Sequence, residues 1–136
     1  MTLASRPKVF FDTNVPLYLI SDDAAKAARA EDLLAEGGTI SVQVLNEFAS
    51  VARRKHHRTW AEVHDLLSAL RRLCEVEPLS LAVHERAIAL ASRLDVPIYD
   101  ACIAASAIES GCKLLYSEDF QNGQVILGTT IRNPFA

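Results

Sequence analysis

The stretch KVFFDTN, Lys8–Asn14, is an apolar run that stops at a carboxylate. Val9, Phe10 and Phe11 read as a buried strand, and Asp12 ends it. An ionised carboxylate loses its water inside a protein, so it rarely goes there without a partner. The same arrangement recurs outward along the chain. Glu47 lies in the helical stretch SVQVLNEFASVARR (41–54), and Asp100 opens the almost wholly apolar helix YDACIAASAIESG (99–111). Asp119 follows the apolar run of KLLYSED (113–119). Four acids on core elements, without obvious local counter-ions, point to one shared cation site. An all-oxygen site suits Mg²⁺ or Mn²⁺.

The rest of the chain alternates between strands and helices. VPLYLI (15–20) reads as a short helical or irregular turn. Asp22 and Asp23 can cap a helix through AAKAARAEDLLAE (24–36), which Gly37 and Gly38 stop. TISVQ (39–43) predicts a second strand merging into the helix of Glu47. Thr59 and Glu62 form a capping-box pattern at the start of a helix running to about Leu73. CEVEPL (74–79) predicts an edge strand, SLAVHERAIALASRL (80–94) an amphipathic helix, CKLLYS (112–117) a strand and TTIRN (129–133) a short last one. This alternation predicts an α/β domain with a mainly parallel sheet. In such sheets ligands bind beyond the carboxyl ends of strands at a topological switch point. Asp12 and Asp119 both follow strands at that kind of end.

The 136 residues fit one domain, taken as 1–136. Half are hydrophobic, enough for a well-formed core. No apolar run approaches the roughly 20 residues of a membrane span, and the N-terminal MTLASRPKVFF is too short in apolar residues for a secretory signal. These features predict a soluble, cytoplasmic protein. Cys74, Cys102 and Cys112 match no zinc or redox spacing and read as reduced thiols. A net charge of −3 argues against binding nucleic acid by global charge. RRKHHR (53–58) is a local basic patch, but taken alone the run reads more simply as a solvated helix end. The one Trp, three Tyr and five Phe are read as mostly core, which argues against an extended base-stacking surface.

FFDTNVPLYL, the NEF around Glu47, YDACIAASAIESG and the late SEDF, taken in that order, resemble the PIN-domain ribonucleases, and within them VapC-type toxins of toxin–antitoxin pairs. The resemblance covers nearly the whole chain. It implies a three-layer α/β/α sandwich around a central, mainly parallel sheet of four to five strands. It implies metal-binding, catalytic acids at Asp12, Glu47, Asp100 and Asp119, with Asp12 and Asp100 the most direct ligands. Asn14, and Ser117 where many relatives have threonine, are implied as polar support. Glu118 is expected to point elsewhere. The implied activity is Mg²⁺-dependent hydrolysis of RNA phosphodiesters, with Mn²⁺ as a substitute, leaving 5′-phosphate and 3′-hydroxyl ends. Two metals about 3.5–4 Å apart can supply both the nucleophile and the charge shielding that such a reaction needs. RNA is expected to enter past Arg53, Arg54 and Lys55. The implied partners are a cognate antitoxin and a second copy of the chain. Leu66 and Leu70 are candidates for a partner groove, with core packing the simpler reading.

The alternative is a PIN-fold module that binds RNA or protein without catalysis. A haloacid-dehalogenase phosphatase would need a second Asp where this chain has Asn14. A Ser or Cys hydrolase would need a paired histidine, but His56, His57, His64 and His84 lie on charged or amphipathic segments.

Overall fold

The computed structural model describes residues 7–136. The reading against a secretory signal rests largely on residues 1–6, outside the described part. Strand β1, Val9–Phe11, leads into helix α1, Asn14–Leu17, and a 3₁₀ turn, Tyr18–Ile20. Helix α2, Ala24–Ala35, is capped by Asp23, whose carboxylate accepts from the Lys26 amide; Asp22 takes no part in the cap. Strand β2, Gly38–Ser41, passes without a loop into α3, Val42–Arg54. The switch from strand to helix falls at Ser41, whose hydroxyl accepts from the Val44 amide at 3.3 Å. The expected strand TISVQ therefore ends two residues earlier, because a serine in extended conformation makes a better N-cap than a strand residue.

Helix α4, Trp60–Leu73, opens on the full Thr59/Glu62 capping box. Strand β3, Cys74–Glu77, and helix α5, Leu81–Leu94, follow. Helix α6, Ile98–Glu109, is buried from Ala101 to Ala107, as its apolar circumference requires. Then come β4, Leu114–Tyr116, β5, Val125–Ile126, and β6, Thr129–Arg132.

The sheet order is β3-β2-β1-β4-β6-β5, parallel throughout except for the β5–β6 pair. It has six strands, beyond the four to five expected. The short β5 turns back onto β6 through Leu127 and Gly128, both at positive φ. A two-residue strand is below the length at which alternation can be read from sequence. The chain moves outward from β1 to β3, then returns past β1 to β4. Right-handed crossovers place the helices of these two opposite movements on opposite faces. Accordingly α5 packs on α6, which lies on β2 and β4, while α3 packs on α1 and α4. The result is the expected three-layer α/β/α arrangement.

The central strands are buried on both faces: Phe10, Phe11, Ile40 and Leu115 are fully enclosed. Each such side chain contributes about 1.5–3 kcal/mol of burial. Gly38 sits under the Phe11 ring, where a Cβ would collide with the ring and come within 2.9 Å of Val9 Cγ2. Its missing side chain lets β1 and β2 pack closely just below Asp12. Leu70 is buried and Leu66 is packed against the core, so the simpler reading of that helix holds and neither offers a partner groove.

Candidate functional site

The switch point of the sheet lies between β1 and β4, where the strand order reverses. Phe11 is in register with Tyr116, so the next step places Asp12 beside Ser117. Asp12 is 3% exposed. Its Oδ1 accepts from the Thr13 amide at 2.6 Å, and its Oδ2 accepts from the Ser117 hydroxyl at 2.6 Å. The same Ser117 oxygen accepts from the Asp119 amide at 3.0 Å. Ser117 thus joins the end of β1 to the turn that carries Asp119.

Glu47 stands on the second turn of α3, half-buried. Its Oε2 accepts from the Thr13 hydroxyl at 2.7 Å, and its Oε1 accepts from Gln43 Nε2 at 2.8 Å. Gln43 also donates to the Tyr99 carbonyl at 3.1 Å, which ties α3 to the start of α6. Neither Thr13 nor Gln43 was singled out from sequence. The i,i+4 spacing of Gln43 and Glu47 was the available signal. Thr13 gave none, because its partner is 34 residues away.

Asp100 lies in the first turn of α6, near the positive end of the helix dipole. It is not the cap: Pro97 holds that position, and no side chain caps the helix. Asp119 is exposed and accepts from Asn14 Nδ2 at 3.3 Å. Asn14 Oδ1 is buried with no hydrogen-bond partner among the described residues. Glu118, by contrast, turns toward Lys26, 3.6 Å away, and Lys26 in turn donates to Tyr18 Oη at 3.1 Å. Adjacent acids of SEDF therefore face different surroundings.

The four carboxylates, Asn14, Thr13 and Gln43 line one cavity of about 790 Å³. Burial pushes the Asp12 carboxyl up to about 8; the Ser117 hydroxyl opposes this, and the charge of Asp119 adds to it. Desolvation outweighs two short hydrogen bonds. Burial also raises the Asp100 carboxyl, with further upward pushes from Asp119 and Glu47. Among the described residues, no Lys or Arg forms an ion pair with any of the four acids.

This chemistry fits a hard divalent cation, which would neutralise the carboxylates and accept the orphaned Asn14 oxygen directly or through water. The acids surround an open cavity. Among the described residues, no three His, Cys, Asp or Glu side chains close into a set that could hold an ion by themselves. Mg²⁺ takes one or two protein carboxylates and keeps several waters, so an open set suits it better than it would suit Zn²⁺ or Ca²⁺.

The basic trio is divided. Arg54 lines the cavity. Lys55 faces a neighbouring depression with His56 and Glu118. Arg53 turns away, donating to the Arg58 carbonyl and stacking 4.7 Å over the Trp60 ring. The expectation that the aromatics are mostly core fails at two positions: Trp60 is 65% and Tyr99 68% exposed. Each lies in the first turn of a helix, where local apolar periodicity says nothing about exposure. His57, His64 and His84 are exposed and His56 partly so, and none lines the cavity.

A sequence model of the PIN domain matches residues 9–122. A comparison with curated proteins finds no match. Among solved structures, the chain is similar to a toxin–antitoxin complex from Klebsiella pneumoniae (22% identity, TM-score 0.72, covering 94% of this chain and 98% of that one). It is also similar to VapC20 of Mycobacterium tuberculosis, described as a sarcin–ricin loop cleaving toxin (22% identity, TM-score 0.68, 82% and 90%). A third is VapBC2 of Rickettsia felis, bound to a DNA fragment from its promoter (20% identity, TM-score 0.67, 91% and 96%). At these identities the likeness concerns the fold. Among the described residues, no helix is long and apolar enough to cross a membrane.

Proposed function

Because the chain belongs to the PIN domain family, we propose that it is a Mg²⁺-dependent endoribonuclease acting as the toxin of a VapBC-type toxin–antitoxin pair. We read residues 1–136 as one PIN domain, cytoplasmic, and paired with a second copy and with an antitoxin. The observation that carries the reading is the acidic cavity at the switch point, with four carboxylates, an orphaned amide oxygen and, among the described residues, no Lys or Arg paired with any of the acids. Retaining that repulsion has no purpose in a module that only binds RNA or protein. The likeness to toxin–antitoxin structures supports the toxin assignment.

In this reading Asp12 and Asp100 would hold the ion directly, and Asp119 and Glu47 would complete its surroundings directly or through water. A bound ion would supply a hydroxide nucleophile near neutral pH and shield charge on the phosphate. The chain's own residues fix the acids. Ser117 and the Thr13 amide hold Asp12 in one orientation, and Thr13 with Gln43 holds Glu47. Asn14 steadies Asp119. Glu47 or Asp119 can take the proton of an attacking water.

The test is purified protein on RNA with Mg²⁺, with Mn²⁺ and with EDTA. Cleavage with both metals, abolished by EDTA and leaving 5′-phosphate ends, is the expected outcome; metal-independent cleavage refutes the assignment. RNA binding with no cleavage in any metal establishes the non-catalytic alternative. Expression alone should arrest growth, and co-expression of the antitoxin should restore it and co-purify. Harmless expression of a folded, active nuclease would defeat the toxin assignment alone.

The two acids of SEDF supply a further check. Asp119→Asn should reduce cleavage by about 10²-fold or more, in the range of losing one group that stabilises transition-state charge. Glu118→Gln should change it less than about threefold, because Glu118 turns away from the cavity toward Lys26, in a partly exposed ion pair of the kind that contributes little. The reverse order would show that the wrong acid faces the metal.

A further inference from the structure

The lining of the acidic cavity also includes the apolar side chains Leu17, Val51 and Leu79 and the ring of Tyr99. A metal ion and a phosphate bind through oxygens and charges, so they leave these side chains without an occupant. Tyr99 is the most exposed of the four. Its ring pairs with no other aromatic ring among the described residues. Its backbone, however, is pinned: Gln43 Nε2 reaches the Tyr99 carbonyl at 3.1 Å and Glu47 Oε1 at 2.8 Å. One amide therefore couples the peptide beneath the ring to a site carboxylate, and the next residue is Asp100. A two-torsion aromatic on a fixed backbone is a pre-organised flat surface with little entropy to lose on binding.

We propose that Tyr99 stacks on the base of the nucleotide adjoining the scissile phosphate, in single-stranded RNA. This rests on the ribonuclease reading. A nucleobase is the part of such a substrate with a planar apolar face, and single-stranded RNA exposes it for stacking on aromatic side chains. The charges of the cavity agree. The acids and a bound ion would take the scissile phosphate, and Arg54, which lines the same cavity, offers a cation to a backbone phosphate. Tyr99 is thus a positioning contact that fixes the register of the chain over the acids.

The experiment pairs protein variants with substrate variants. A cleaved single-stranded oligonucleotide is prepared with an abasic site at each nucleotide flanking the cut in turn. Wild type, Tyr99→Ala and Tyr99→Phe are compared with Mg²⁺. Tyr99→Ala should lower kcat/KM by about tenfold to a hundredfold, the usual worth of one stacked base, and Tyr99→Phe should keep activity near wild type. At one flanking position the abasic site should cost the wild type the same factor and cost Tyr99→Ala nothing more. Equal abasic losses in both proteins at every position would overturn the stacking role. So would a Tyr99→Ala defect that follows a change in oligomeric state by sedimentation, which would assign the ring to a second copy of the chain. A wild type that cleaves no RNA would remove the ribonuclease reading and this proposal together, whereas an active enzyme without the coupling removes only the proposal.

Discussion

Asp12→Asn is expected to reduce RNA cleavage on the order of 10³-fold while leaving the protein folded, the upper range for deleting one group that stabilises transition-state charge. The buried position makes this substitution informative. An asparagine keeps the size of the side chain and can still accept from the Thr13 amide through its carbonyl oxygen. Its amide nitrogen can donate to the Ser117 oxygen, which is free to rotate its own hydrogen elsewhere. What disappears is the ability to carry a negative charge, in a place where, among the described residues, no Lys or Arg pairs with it. Loss of cleavage should therefore come with a melting temperature, measured without metal, equal to or above that of wild type. Undiminished cleavage by the purified variant would remove Asp12 from the site. Lost cleavage with a collapsed melting temperature would mean that the carboxylate is structural.

Without metal, stability should fall as pH rises between about 4 and about 8, and Mg²⁺ should remove most of that fall. The sign follows from Asp12. Its carboxyl is pushed from the ordinary value near 3.8 up to about 8 in the folded protein, mainly by burial. Across that window the native state holds a proton that the unfolded chain has released. The associated stability is complete below the unfolded value and is lost as pH passes the folded one. Asp100 is shifted in the same direction and adds to the slope. A divalent ion binds the ionised carboxylates of the folded cavity better than those of the open chain, so it raises the melting temperature by mass action. The gap between curves with and without millimolar Mg²⁺ should widen by several degrees from pH 5.5 to pH 8. Other titrating groups contribute to the raw slope, so the decisive quantity is the difference between wild type and Asp12→Asn, in which the Asp12 contribution is absent. A difference that stays flat across this range, or a wild type indifferent to Mg²⁺, would contradict an acidic cavity formed before the ion arrives.

The sequence alone determined most of the elements, because their signals are local; the two-residue β5 was too short to give one. Three apolar residues ended by Asp12, the Thr59/Glu62 box and the apolar circumference of α6 each act within one or two turns of chain. It also determined which residues bear unusual charge, since a carboxylate at the end of a buried run is visible without a structure. Only the tertiary structure decided what those carboxylates touch. Ser117 reaches Asp12 across 105 positions because β4 lies beside β1 in register, and that neighbourhood follows from strand order. The Thr13–Glu47 contact arises in the same way, from α3 starting where β2 ends. Exposure was decided at this level too. Trp60 and Tyr99 carry the same apolar label as buried aromatics, yet each sits in the first turn of a helix and stays mostly exposed. Burial is a property of neighbours, and neighbours distant in sequence are set by how the layers close.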